Sequence, residues 1–260
     1  MMDHSLYLWD GPAPFSDQCG GQAQPSLTPH PVEGARGAVI VIPGGGYTHK
    51  AEHEAGQIAR MLNSQGIASY VLDYRVYPCP HEAPLADVKR AIRLVRSMGY
   101  ERVGVLGFSA GGHLCCAAAV HFDEGNPDSP DAVERLSSRP DAFIPCYAVV
   151  TMGKYTHKGS RKALLQDRWE DEALIRYYSN ELQVRPDTPP AFIWHTAEDG
   201  AVPVQNSLML AHALSEKGIL YEMHIYPKGH HGLGLAPEYS LVAGWGNACC
   251  RWLLEMRFGK

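Results

Sequence analysis

The stretch Gly107-Phe108-Ser109-Ala110-Gly111 constrains this chain more than any other. A serine stands between two glycines, entered from the apolar run 102–106 and left on the alanine-rich run 112–120, which has the form of a strand, a sharp turn and a helix. On such a turn Ser109 sits in strained backbone, and a side chain two positions before or after it would collide with neighbouring backbone, so both places call for glycine. This is the pattern of a nucleophile elbow, and it points to acyl-transfer or hydrolytic chemistry. Short Gly and Ser combinations also occur in surface turns, so the rest of the chain has to supply a base, an acid and a site for an oxyanion.

The elbow lies within a regular alternation. Residues 1–36 are rich in Pro, Gly and Ser, with one short extended candidate at 6–9, and read as an arm laid over the domain. Beyond it, apolar runs at 38–42, 67–72, 102–106, 142–149, 191–196 and 220–226 predict strands. Helical spacing predicts helices at 54–65, 83–98, 112–120, 203–216 and 239–256, the second with Leu85, Val88, Ile92 and Val95 on one face. Strands alternating with helices imply an α/β fold: a mostly parallel central sheet with helices on both faces. A chain of 260 residues can bury one large core, so residues 37–260 are expected to be a single domain, with a less regular insert at 151–190 that shapes specificity.

Composition narrows the partners. The formal charge is −5, with no long basic cluster, which speaks against nucleic acid and anionic membranes and for a neutral or weakly polar small molecule. No apolar run reaches the roughly 18 residues of a membrane span, and Met1 to Gly20 lacks a charged start followed by an apolar core. Seven cysteines, including the adjacent pairs Cys115-Cys116 and Cys249-Cys250, show no zinc spacing and read as reduced, mostly buried thiols of a cytoplasmic protein. His49 and His53 lie four apart but lack a third ligand and a His-Glu-x-x-His pattern, so neither a metal nor another cofactor is expected.

In a parallel sheet reactive groups gather at the carboxyl ends of the strands. The loop after 191–196 holds Glu198 and Asp199, and the loop after 220–226 holds His230 and His231. A serine hydroxyl becomes a nucleophile when a histidine accepts its proton and a carboxylate holds that imidazole in the right tautomer. Asp199, beside Gly200, and His231, beside Gly232, are the favoured partners of Ser109. The run Pro43-Gly44-Gly45-Gly46-Tyr47 follows the first buried strand and can turn backbone N–H groups toward a substrate. Gly45, Gly46 and Ala110 are thus the expected oxyanion donors, with Gly44 and Tyr47 lining the substrate site. His113, one turn into the elbow helix, is expected to be a structural hydrogen-bonder. Tyr155, His157, Lys158, Trp169, Tyr177 and Tyr178 of the insert either stack on a sugar ring or pack the insert onto the domain.

With these residues assembled, the chain resembles the α/β-hydrolase superfamily, and within it lipase-like and acetylxylan-esterase-like bacterial serine esterases. Besides the glycine run, the resemblance is carried by Asp73-Tyr74-Arg75-Val76, Gly107 to Leu114, Thr188 to Phe192, Trp194 to Asp199, Val202-Pro203 and His231-Gly232. It implies Ser109 as nucleophile, Asp199 as acid and His231 as base. In two places the chain departs from many relatives: Pro43 stands where they begin the glycine loop with His, and His230 where they carry Gly. The expected activity is hydrolysis of short-chain acyl esters, first of all acetyl groups on sugars or xylo-oligosaccharides. An amidase, formamidase or small peptidase on the same triad is the alternative, and a non-catalytic small-molecule receptor a more distant one. A homo-oligomer is left open.

Overall fold

The computed structural model describes residues 5–260. One sheet contains β1 (Leu6–Tyr7), β2 (Ser26–His30), β3 (Gly37–Ile42), β4 (Ala68–Asp73), β5 (Arg102–Phe108), β6 (Ala142–Cys146), β7 (Ala191–Thr196) and β8 (Tyr221–Tyr226), in the spatial order β1-β2-β4-β3-β5-β6-β7-β8. From β4 to β8 every neighbouring pair is parallel, whereas β1, β2 and β4 pair antiparallel. The helices are α1 (Gly56–Ser64), α2 (Glu82–Ser97), α3 (Ser109–Val120), α4 (Lys158–Leu165), α5 (Glu172–Tyr178), α6 (Gln205–Glu216), α7 (Ser240–Ala243) and α8 (Trp245–Glu255).

The continuous apolar run of β3 follows from its position. Side chains alternate between the faces of a strand, and here both faces are covered. Ala38, Ile40 and Ile42 join Val88, Ile92 and Val95 of α2, Leu114 of α3 and Leu210 and Leu214 of α6 in one apolar layer. Val39 and Val41 join Ile58 and Leu62 of α1 and Trp245, Cys249 and Leu253 of α8 in the other. Each such Val, Leu or Ile, fully buried, contributes about 1.5–3 kcal/mol.

Three expectations are corrected. The N-terminal arm does more than lie over the domain, since its residues 6–7 and 26–30 add two strands to the sheet. Pro29 hid β2, yet β1 pairs only with Ser26 and Leu27, so Pro29 faces an open edge and its missing N–H breaks no ladder. The helix expected at 239–256 is two, α7 and α8, meeting at Gly244. The cysteines are not all reduced: Cys19 of the arm is disulfide-bonded to Cys79, and the five free thiols are buried. The arm returns to that loop because Gln22 exchanges hydrogen bonds with the backbone of Val76 and Arg75 donates to the Pro14 carbonyl. Arg75 is itself held by the buried carboxylate of Asp87 on α2.

Candidate active site

Strand β5 runs straight into α3 at Ser109, which has φ +52°, the left-handed region that side chains rarely adopt. The flanking glycines admit this turn. A Cβ on Gly107 would overlap the Gly111 carbonyl, and one on Gly111 would overlap the carbonyls of Ile42 and Pro43. The turn lifts the Ser109 hydroxyl to the carboxyl edge of the sheet, with the N terminus of α3 and its free N–H groups beneath it.

Two loops converge on that hydroxyl. His231, after β8, has Nε2 2.8 Å from Ser109 Oγ and Nδ1 2.7 Å from Asp199 Oδ2. Asp199, after β7, is fixed by its other oxygen, which accepts from the N–H groups of Ala201 (2.9 Å) and Val202 (2.8 Å). Burial alone would raise the Asp199 carboxyl, but hydrogen bonds from His195 and His231 outweigh it and hold the group well below the usual carboxylate range. Asp199 is therefore an anion, which accepts from His231 Nδ1–H and leaves Nε2 to accept the serine proton. The neighbours point elsewhere. Glu198 accepts from the Gly229 N–H and pairs with Lys228, while His230 bonds the His231 carbonyl and packs edge-on to Tyr239.

The glycine run packs against Ser109, where a Cβ on Gly44 would stand 3.1 Å from Ser109 Cβ. Gly45 and Gly46 have φ +118° and +65°, and a Cβ on Gly45 would overlap the His49 carbonyl. Among the described residues, the N–H groups of Gly45 and Gly46 have no protein acceptor, so they are available to an oxyanion together with that of Ala110. Gly44 is not available, a correction to its expected place at the substrate: its N–H donates to Glu54 Oε2 at 2.7 Å. Tyr47 is corrected too. It is 1% exposed and turned into the core, with its hydroxyl 2.8 Å from His113 Nδ1, while His113 Nε2 donates to the Tyr178 carbonyl.

Residues without an expected role brace this loop around Pro43. Tyr74 donates to the Pro43 carbonyl at 2.8 Å. Glu54, 2% exposed, accepts from Gly44 N–H and from the Tyr147 hydroxyl at 2.6 Å. The Tyr147 oxygen accepts from Gly234 N–H at 2.9 Å, and the Tyr147 ring stands edge-on to His231. Glu54 and Tyr147 thus join the glycine loop to the histidine loop. Their only sequence signal is location, each following a strand at the reactive edge. The site opens into a cavity of about 380 Å³ lined by Gly45, Gly46, Glu54, Ser109, His157 and His231 among others. Of the insert's aromatic residues His157 reaches it; Tyr178 is buried against His81 and His113. Among the described residues no cluster of His, Cys, Asp or Glu is arranged to hold a metal.

This geometry can be set beside known proteins. The BD-FAE family model matches residues 27–214. Endo-1,4-beta-xylanase B of Butyrivibrio fibrisolvens is 40% identical over 220 residues, covering 81% of this chain and 34% of that protein. An acetylxylan esterase of Xylanibacter ruminicola is 35% identical over 208 residues, covering 76% of this chain and 41% of that one. The chain therefore spans between a third and a half of the length of these curated relatives. Among solved structures, the acetyl ester-xyloside bifunctional hydrolase of Caldicellulosiruptor lactoaceticus superposes with a TM-score of 0.92 at 42% identity, covering 99% of this chain and 98% of that one.

Proposed function

The chain belongs to the BD-FAE family, and on that footing we propose that it is a serine carboxylesterase that removes short acyl groups, acetyl first among them, from sugars or xylo-oligosaccharides. The observation that carries the reading is the unbroken hydrogen-bond chain from Asp199 through His231 to Ser109, opening into a cavity also lined by Gly45 and Gly46, whose backbone N–H groups have no protein acceptor among the described residues. The names of the relatives and the near-complete superposition on an acetyl ester hydrolase support the choice of substrate.

In this reading Ser109 Oγ attacks the ester carbonyl while His231 Nε2 takes its proton, and Asp199 holds the resulting imidazolium. The carbonyl oxygen becomes an oxyanion that accepts from the N–H groups of Gly45, Gly46 and Ala110. Collapse expels the alcohol oxygen, which receives the proton back from His231. Water then enters, gives a proton to His231 and attacks the acyl-serine; the acid departs and Ser109 regains its hydrogen. A cavity of about 380 Å³ walled by glycines suits a small acyl group.

No helix among the described residues is long and apolar enough to cross a membrane. The cytoplasmic setting expected from the sequence draws on the N-terminal segment and on reduced cysteines, and the Cys19–Cys79 bond takes the second support away. The test of function is acetate release from acetylated xylo-oligosaccharides beside a panel of p-nitrophenyl esters. Acetate release from the sugar, and p-nitrophenyl acetate turned over faster than long-chain esters, are expected. Equal turnover of long chains would overturn the short-acyl reading.

A further inference from the structure

The mechanism above leaves part of the cavity wall unused, and that part is built of imidazoles. His157 is the N-cap of α4, where Nδ1 accepts from the Ser160 N–H at 3.2 Å and lies 2.8 Å from the Ser160 hydroxyl. An acceptor at Nδ1 places the ring proton on Nε2. Among the described residues Nε2 of His157 has no protein partner, and the ring lines the cavity beside Ser109 and His231. Its capping partner lies beside the oxyanion loop, since a Cβ on Gly46 would stand 4.0 Å from Ser160 Oγ. Burial, and after it the nearness of His231, lowers the His157 pKa below its ordinary value, so the ring is a neutral donor.

The other two imidazoles of the wall are wired differently. His53 commits Nε2 to the Gly232 carbonyl at 2.9 Å. Thr48 donates to the Gly45 carbonyl, so its oxygen accepts from His49 Nδ1, which leaves His49 Nε2 as an acceptor. Beside the backbone N–H groups of Gly45 and Gly46, these imidazoles offer a free donor on His157 Nε2 and free acceptors on His49 Nε2 and His53 Nδ1. A hydroxyl group both donates and accepts and is the matching chemistry.

Resting on the esterase reading above, we propose that His157 is a specificity-determining residue: its Nε2–H donates to a free hydroxyl on the carbon next to the scissile ester, selecting acetyl esters of vicinal diols over esters of simple alcohols. The leaving oxygen has to lie within reach of His231 Nε2 to regain its proton, and His157 lines the same cavity as His231, so a hydroxyl on the neighbouring carbon is the group it is set to meet. A partly acetylated sugar ring has this arrangement; p-nitrophenyl acetate lacks it.

The experiment compares wild type with His157→Asn, since asparagine can still accept the Ser160 N–H and keep the cap. The kcat/KM is measured on an acetylated xyloside with a free neighbouring hydroxyl, on the same compound with that hydroxyl O-methylated, and on p-nitrophenyl acetate. The ratio of free-hydroxyl xyloside to p-nitrophenyl acetate should fall about tenfold in the variant, the scale of one hydrogen bond. Methylation should lower that ratio similarly in wild type and add little in His157→Asn. Because each ratio is taken on one enzyme preparation, any loss of folded protein cancels. Wild type that deacetylates the xyloside while the variant keeps the same ratio overturns the role of His157 alone. Wild type that hydrolyses p-nitrophenyl acetate but not the acetylated xyloside overturns the sugar reading, and this one with it.

Discussion

His231 lies in a loop at the cavity and His113 inside α3, one turn past Ser109, and each has both ring nitrogens within 2.8 Å of a partner. The difference lies in the partners. His231 has a carboxylate across Nδ1 and a serine hydroxyl at Nε2, and its side chain is 23% exposed. His113 has a phenol and a backbone carbonyl and is wholly buried, so burial pushes its pKa down to about 4 despite the Tyr178 carbonyl. A ring facing a carboxylate can hold a proton in transit, whereas one sealed among neutral groups stays uncharged and serves as a strut.

The largest test of that contrast is His231→Ala, which should cut the kcat for p-nitrophenyl acetate by about 10⁴-fold or more with the fold intact. A loss of less than tenfold would remove His231 from the role of base. His113→Phe should instead act on stability, costing about 2–4 kcal/mol in urea unfolding, because the Tyr47 hydroxyl and Tyr178 carbonyl lose their buried partner. The strut also predicts a pH dependence. The folded value of about 4 lies below the ordinary 6.5, so the unfolded chain takes up a proton in that interval and the folded chain does not. Stability is fully present above pH 6.5 and is lost as the pH falls toward 4, and His113→Phe should flatten this slope between pH 7 and 4.5.

Glu54→Gln comes next. The amide can still accept from Gly44 but presents an N–H₂ to Tyr147, whose oxygen already accepts from Gly234. A fall in kcat of about 10- to 100-fold with little change in KM is expected, since a slackened oxyanion loop is felt in the transition state. An unchanged kcat would make the brace merely structural. The smallest effect is expected at His230→Ala, less than about twofold, because that ring faces Tyr239 and solvent. A larger loss than at His231→Ala would exchange the two assignments.

How far such features were legible depended on how local their causes are. The parallel strands are legible because burial on both faces demands an unbroken apolar run, as in β3, and the elbow because its pattern is confined to five consecutive residues, although only the Gly107 clash is local and Gly111 answers the carbonyls of Ile42 and Pro43. β2 was hidden because its partner β4 lies some forty residues on and Pro29 is tolerated only where the edge is open. Glu54 and Tyr147 are 93 residues apart, and an isolated glutamate or tyrosine has no local pattern. Proximity to the glycine run along the chain predicts Tyr47 at the pocket, yet with φ +62° its ring turns inward to His113.

The alternation of strands and helices and the residue types available at the carboxyl edge of the sheet follow from the order of amino acids, since periodicity and glycine placement are written into neighbouring positions. Which atoms meet follows from packing: Asp199 rather than Glu198 faces His231, Gly44 is taken by Glu54, and Cys19 reaches Cys79. Hydrogen bonds and disulfides form only within a few ångströms, and contact at that range between distant loops is set by the packing of the whole sheet.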